Sequence, residues 1–177
     1  PLLVMTPKSL LRHKRATSKL EEMGDGTSFH RLLWDDAEIL TGEKIKLAPD
    51  ASIRRVVMCS GKVYYDLYEE REKRGLDDIY ILRIEQLYPW PHKALIHELS
   101  RFKNAEFVWC QEEPYNMGAW SFAQPNIERV LDYVGAARPR PRYAGRPPSA
   151  STATGLMSRH LKELRTFLEE ALGGDKR

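Results

Sequence analysis

The sequence predicts an α/β fold: three layers, with a mostly parallel sheet covered by helices on both faces. Three observations predict it. Residues 56–59, 79–84 and 107–110 are short, dominantly apolar runs, too brief for helices and without the alternation of a half-wet strand. Segments with helical apolar spacing follow them, such as Val63, Tyr64, Leu67 and Tyr68. Each run also ends in polar residues and a turn signal. Strands alternating with helices pair in parallel through right-handed crossovers.

The elements follow in order. Residues 2–5 form a strand-like run. Residues 8–15 carry Lys8, Arg12, Lys14 and Arg15, either on a solvated linker helix or as a patch facing an anion. Residues 16–30 have weak periodicity, with a turn at Gly24-Asp25-Gly26. We read residues 1–53 as a connection leaving an upstream domain, packed down by Phe29 and by Leu32, Leu33 and Trp34. The domain proper spans residues 54–177. Its first strand is 56–59, Ser60-Gly61-Lys62 is the turn, and Gly75 ends the next helix. The second strand is 79–84. Pro89 and Pro91 stop it, and Pro91 opens a helix whose apolar face is Leu95, Ile96, Leu99 and Phe102.

The central stretch is residues 107–120. Four apolar residues give a buried strand, and Gln111, Glu112 and Glu113 form its polar tip. Pro114 stops the ladder, and Asn116 and Gly118 make the turn. Ile127, Val130, Leu131 and Val134 then mark one face of a helix. Residues 138–148 are basic and rich in proline, and Tyr143 with its neighbours suits an edge strand. A last helix turns Leu161, Leu164, Leu168 and Leu172 inward. Gly173 and Gly174 end it, and residues 175–177 are a free tail.

Composition bounds the function. The chain has 177 residues, 42% hydrophobic and 30% charged, enough for one domain with a core. A net charge of +3 does not by itself imply nucleic acid. No apolar run approaches the roughly 18 residues of a membrane span. The start has no basic leader and no initiator Met, so we expect a fragment without a signal peptide. Two cysteines in predicted strands suit a reduced, intracellular compartment.

No motif supplies a self-contained active site. Adjacent Glu112 and Glu113 point to opposite faces of a strand, so they are no acid/base dyad. Capping of nearby N–H groups suits them better. Ser60-Gly61-Lys62 lacks the earlier glycine of a phosphate loop. None of the five histidines pairs with a carboxylate at i,i+4, no C-x-x-C occurs, and no metal site is expected. Cys110 reads as a packed thiol. The run of arginines from Arg138 to Arg146 has only Tyr143 as an interleaved aromatic, so packing on a neighbouring domain suits it better than nucleic acid.

Four longer stretches are nonetheless familiar: Val57-Met-Cys-Ser-Gly-Lys-Val-Tyr-Tyr-Asp66, Arg83-Ile-Glu-Gln-Leu-Tyr-Pro89, Trp109-Cys-Gln-Glu-Glu-Pro114 with Gly118-Ala-Trp120, and Arg142-Tyr-Ala-Gly-Arg-Pro147. In this order and spacing they resemble the C-terminal region of the thiamine-dependent 2-oxoglutarate dehydrogenase component, a transketolase C-terminal-like domain. Residues 6–12 are similar to that family's segment leaving the pyrimidine-binding domain.

The resemblance implies a homodimeric enzyme, cytoplasmic in bacteria and in the mitochondrial matrix in eukaryotes. It implies thiamine diphosphate and Mg²⁺ bound outside this chain, and succinyl transfer to a lipoyl-bearing succinyltransferase component. This chain would serve assembly and allosteric response, with no decarboxylase activity alone. Members of the family bind AMP or acetyl-CoA nearby. The matching positions are Gln86, Lys93 and the segment holding Ser28 and Arg31. Only one lysine follows Pro91, and Ser28 stands where a lysine occurs, which weakens the case for acetyl-CoA and leaves a mononucleotide open. The alternative is a free-standing nucleotide or acyl-CoA binding module.

Overall fold

The computed structural model describes residues 1–4, 6–40 and 43–173, in two compact units, Pro1–His30 and Arg31 onward. The expected tail at 175–177 and Gly174 lie outside the described residues. The first unit holds 3-10 turns at Lys8–Arg12 and Leu20–Met23 and, among the described residues, no buried one. Of the strand expected at 2–5, residues 2–4 are exposed and irregular, and Met5 lies outside the described residues. The basic helix expected over 8–15 shrinks to the single 3-10 turn.

The second unit is built on a five-stranded sheet: β1 (Leu32–Leu33), β2 (Arg55–Cys59), β3 (Ile79–Ile84), β4 (Glu106–Pro114) and β5 (Arg142–Arg146). Its order is β1-β3-β2-β4-β5. β2 pairs in parallel with both β3 and β4, β5 runs parallel to β4, and only β1 is antiparallel. The expected parallel neighbours are therefore present, and Tyr143 lies in an edge strand. All five residues of β2 are buried, as a central strand between two helical layers requires.

The helices are α1 (Asp36–Ile39), α2 (Val63–Arg74), α3 (His92–Leu99), α4 (Trp120–Tyr133) and α5 (Met157–Leu172). One face of the sheet presents Val57, Ile81, Val108 and Cys110 to α2 and α5. The other presents Met58, Tyr80, Leu82 and Trp109 to α3 and α4. Gly75 closes α2 in the left-handed conformation, φ 63°, where a side chain is disfavoured.

Three sequence readings are corrected. β4 does not stop at Cys110 but runs through Gln111 to Pro114, and Gln111 is buried. Pro114 is tolerated because the β4–β5 register shifts between Cys110 and Pro114. In α5, Leu161 is exposed, and the buried face is Phe167, Leu168, Ala171 and Leu172. Phe29 is exposed and Trp34 half-exposed, so neither packs the connection down.

The sheet-based unit begins at Arg31, ahead of residue 54. Leu32 pairs with Ile84, and the fully buried Asp35 carboxylate takes the Arg71 guanidinium and the Ile81 N–H at 2.7 Å.

Candidate functional site

In open α/β sheets the strands' carboxyl ends are where backbone groups run out of partners and ligands dock. Here β2 and β4 are neighbours, and α2 and α4 leave them toward opposite faces. The crevice between those departures is bridged by Lys62. Its Nζ lies 2.8 Å from both Asp66 and Glu112. Burial alone would lower the Lys62 pKa, but the two carboxylate hydrogen bonds outweigh it and the ammonium is held charged. The pairing with Lys62 is Glu112's role, in place of the expected capping. Glu113 is exposed.

Beside this bridge, Gln111 organises the turn into α4. Its Oε1 accepts from Trp109 Nε1 at 2.9 Å and from the Trp120 N–H at 3.0 Å. Its Nε2 donates to the Met117 carbonyl at 2.8 Å and to the Pro114 carbonyl at 3.2 Å. Gly118, with φ 68°, lies so close that a Cβ would meet Gln111 Nε2 at 2.9 Å. Tyr143 closes the far side, its hydroxyl donating toward the Glu113 and Arg146 carbonyls at 3.0 and 2.9 Å.

A second locus lies after β3. The Arg31 carbonyl accepts the N–H groups of Glu85 and Gln86 at 3.0 and 3.1 Å, so Arg31 and Gln86 share one turn. The Gln86 Nε2 donates to the Pro89 carbonyl at 2.6 Å, which leaves its carboxamide oxygen as an acceptor. Lys93 stands in the first turn of α3, exposed and in no ion pair among the described residues. Ser28 is exposed and belongs to the other unit.

The family model described as 2-oxoglutarate dehydrogenase C-terminal matches residues 17–172. The chain belongs to this family. The 2-oxoglutarate dehydrogenase E1 components of Brucella anthropi, Brucella ovis and Brucella abortus are each 69% identical to it over 173 residues. That covers 98% of this chain and 17% of each relative, so the chain spans about a sixth of the length of the curated relatives it matches. The four stretches that resemble the 2-oxoglutarate dehydrogenase C-terminal family cross or reach the carboxyl ends of β2, β3, β4 and β5. The residue-level reading missed the Lys62–Glu112 bridge and the buried Arg146. Both follow only once β4 is known to lie between β2 and β5.

Proposed function

We propose that this chain is the C-terminal assembly and regulatory domain of a thiamine-dependent 2-oxoglutarate dehydrogenase, working in the bacterial cytoplasm as part of a homodimer. The observation that carries this reading is the family match over residues 17–172, joined to 69% identity with proteins named 2-oxoglutarate dehydrogenase E1 component. The whole enzyme decarboxylates 2-oxoglutarate oxidatively and passes the succinyl unit to a lipoyl group of the succinyltransferase component. Thiamine diphosphate supplies the carbanion chemistry when bound.

Among the described residues no three His, Cys, Asp or Glu side chains converge to hold a metal ion. In this proposal thiamine diphosphate and Mg²⁺ are bound outside this chain, by the rest of the enzyme. Nothing in the comparisons favours a free-standing binding module.

The effector site in this proposal is built from Gln86, Lys93 and Arg31 and takes AMP or acetyl-CoA. What supports it is chemistry. Lys93 is a charge without an ion pair among the described residues, on a helix's first turn where free N–H groups already favour phosphate. The free Gln86 oxygen suits an amino group on a purine edge.

The test uses the intact enzyme with thiamine diphosphate, Mg²⁺ and 2-oxoglutarate, reading succinyl transfer to lipoamide. Turnover by the intact enzyme and none by the 177-residue chain is expected. Absence of 2-oxoglutarate turnover in the intact protein would refute the assignment. In the same assay, Gln86→Ala with Lys93→Ala should weaken the response to AMP or acetyl-CoA about ten- to a hundredfold. An unchanged effector response would remove the site while leaving the enzyme assignment standing.

A further inference from the structure

A cationic patch lies where α4 ends, at the amino edge of the sheet and away from the candidate site. It holds Lys103, Arg129, Arg138 and Arg140, all exposed and in no ion pair among the described residues. The Ala137 N–H donates to the Lys103 carbonyl at 2.8 Å, which sets Arg138 beside Lys103. α4 closes with Gly135 at φ 67° and the Ala136 N–H on the Leu131 carbonyl at 3.0 Å, so the chain turns off the helix at once. Pro141 is buried and Pro139 half-buried. The segment is thus pinned by two residues of fixed φ while Arg138 and Arg140 stay in water. Tyr133, 76% exposed, lies one helical turn after Arg129 on the outer face of α4.

The neighbouring carboxylates leave the patch positive. Glu106 is shared between Arg55 and Arg142, and Glu38, Asp50 and Glu98 face Arg101 rather than Lys103. Glu128 accepts from Gln124, and Asp132 is exposed. That sets two carboxylates against four cations.

The character of the patch indicates its partner. Permanent interfaces are apolar and resemble a core cut in half. Leu156, Met157 and Leu161, exposed on the first turns of α5, have that composition. The end of α4 does not. Unpaired cations steer an encounter and fix its orientation, which serves a partner that comes and goes. Tyrosine and arginine are also the side chains that carry most binding energy at such contacts. One exposed ring and a chain net charge of +3 fit carboxylates better than the stacked bases and phosphates of a nucleic acid.

We propose that the end of α4 and the turn into β5 form a docking surface for an acidic segment of another protein. Its carboxylates pair with Arg138, Arg140, Lys103 and Arg129, and an apolar side chain among them packs on Tyr133.

The test is fluorescence anisotropy of a labelled oligoglutamate peptide with the intact enzyme at low salt. Binding is expected, and it should fall at least about tenfold when salt is raised to about 0.15 M. Arg138→Glu with Arg140→Glu should weaken it at least about tenfold. Its melting temperature should hold, because neither arginine has an ion pair among the described residues to lose. Lys162→Glu with Arg165→Glu makes the same change in net charge at exposed positions of α5 and should leave affinity within about threefold. Tyr133→Ala, which touches no charge, should weaken binding about threefold or more. No binding by the intact enzyme overturns the assignment. So does a loss in Arg138→Glu with Arg140→Glu no larger than in the α5 pair, or an oligouridylate that binds as tightly as oligoglutamate.

Discussion

Gln111 shows how much one side chain can fix. It is 4% exposed and serves two donors and two turn carbonyls at once. A residue with only one of its chemistries would strand the others. Gln111→Leu leaves Trp109 Nε1 and the Trp120 N–H without acceptors, at about 1–3 kcal/mol each. The variant should unfold in urea at least about 2 kcal/mol more easily than wild type; equal midpoints would mean that water replaces the amide. Trp109 itself is 1% exposed beneath α4. Trp109→Ala should cost about 3–5 kcal/mol by emptying that volume. Tyr133→Ala, at a side chain 76% exposed, should move stability by no more than about 0.5 kcal/mol. Similar melting temperatures for the two variants would contradict the packing. Gln111 was not legible as buried because a polar residue ending an apolar run reads as solvated. Its partners lie up to nine residues away, across a turn whose geometry the letters do not display.

At the scale of elements, the carboxyl end of α5 is held by arginines from two other elements and the turn before β2. Arg54 donates to the Leu172 carbonyl, Arg55 to the Glu170 and Ala171 carbonyls, and Arg74 to the Gly173 carbonyl, at 2.9–3.2 Å. Among the described residues these carbonyls have no intrahelical partner, and cations there also complement the helix dipole. Glu106 at the start of β4 holds Arg55 in place and binds Arg142 of β5 as well. Burial pushes the Glu106 carboxyl up, but hydrogen bonds from Arg142 and Arg55 outweigh it and hold it below the usual carboxylate range. A lowered native pKa contributes stability that is complete above the unfolded value and lost as pH falls through the native one. Unfolding free energy should therefore drop as pH falls below about 4, and the drop should be shallower in Glu106→Gln. Parallel pH profiles for the two proteins would show that the clamp does not depend on this charge. Most elements could be read beforehand, because β2, β3 and the first half of β4 are apolar runs and α2 and α4 keep helical spacing. The arginine clamp could not. Arg54, Arg55 and Arg74 lie far from α5 in the sequence and read as solvated until α5 is known to pack across β2.

At the scale of the molecule, the sheet-based unit was legible as an α/β domain because right-handed crossovers leave few ways to arrange three parallel strands. What was not legible is the return of residues 31–40 onto the sheet. β1 has two residues, too few to show a pattern, and the buried Asp35–Arg71 pair looks like surface charge in the sequence. The cationic patch at the end of α4 was hidden for a related reason, since Lys103 meets Arg138 only through tertiary packing.

A consequence of this architecture can be tested with the two thiols. Cys59 and Cys110 sit opposite each other on β2 and β4, both fully buried under α2 and α5. Burial raises both thiols, so neither is exposed or ionised in the native state. A thiol reagent can reach them only when the central strands lose their helical cover, which for adjacent central strands means opening the whole unit. At neutral pH without denaturant the two should label slowly and together. Added urea should speed both in proportion, in step with the unfolding equilibrium. Rapid labelling of either cysteine with the circular dichroism unchanged would show that a helix lifts locally, and that the sheet and its two layers are not one cooperative unit.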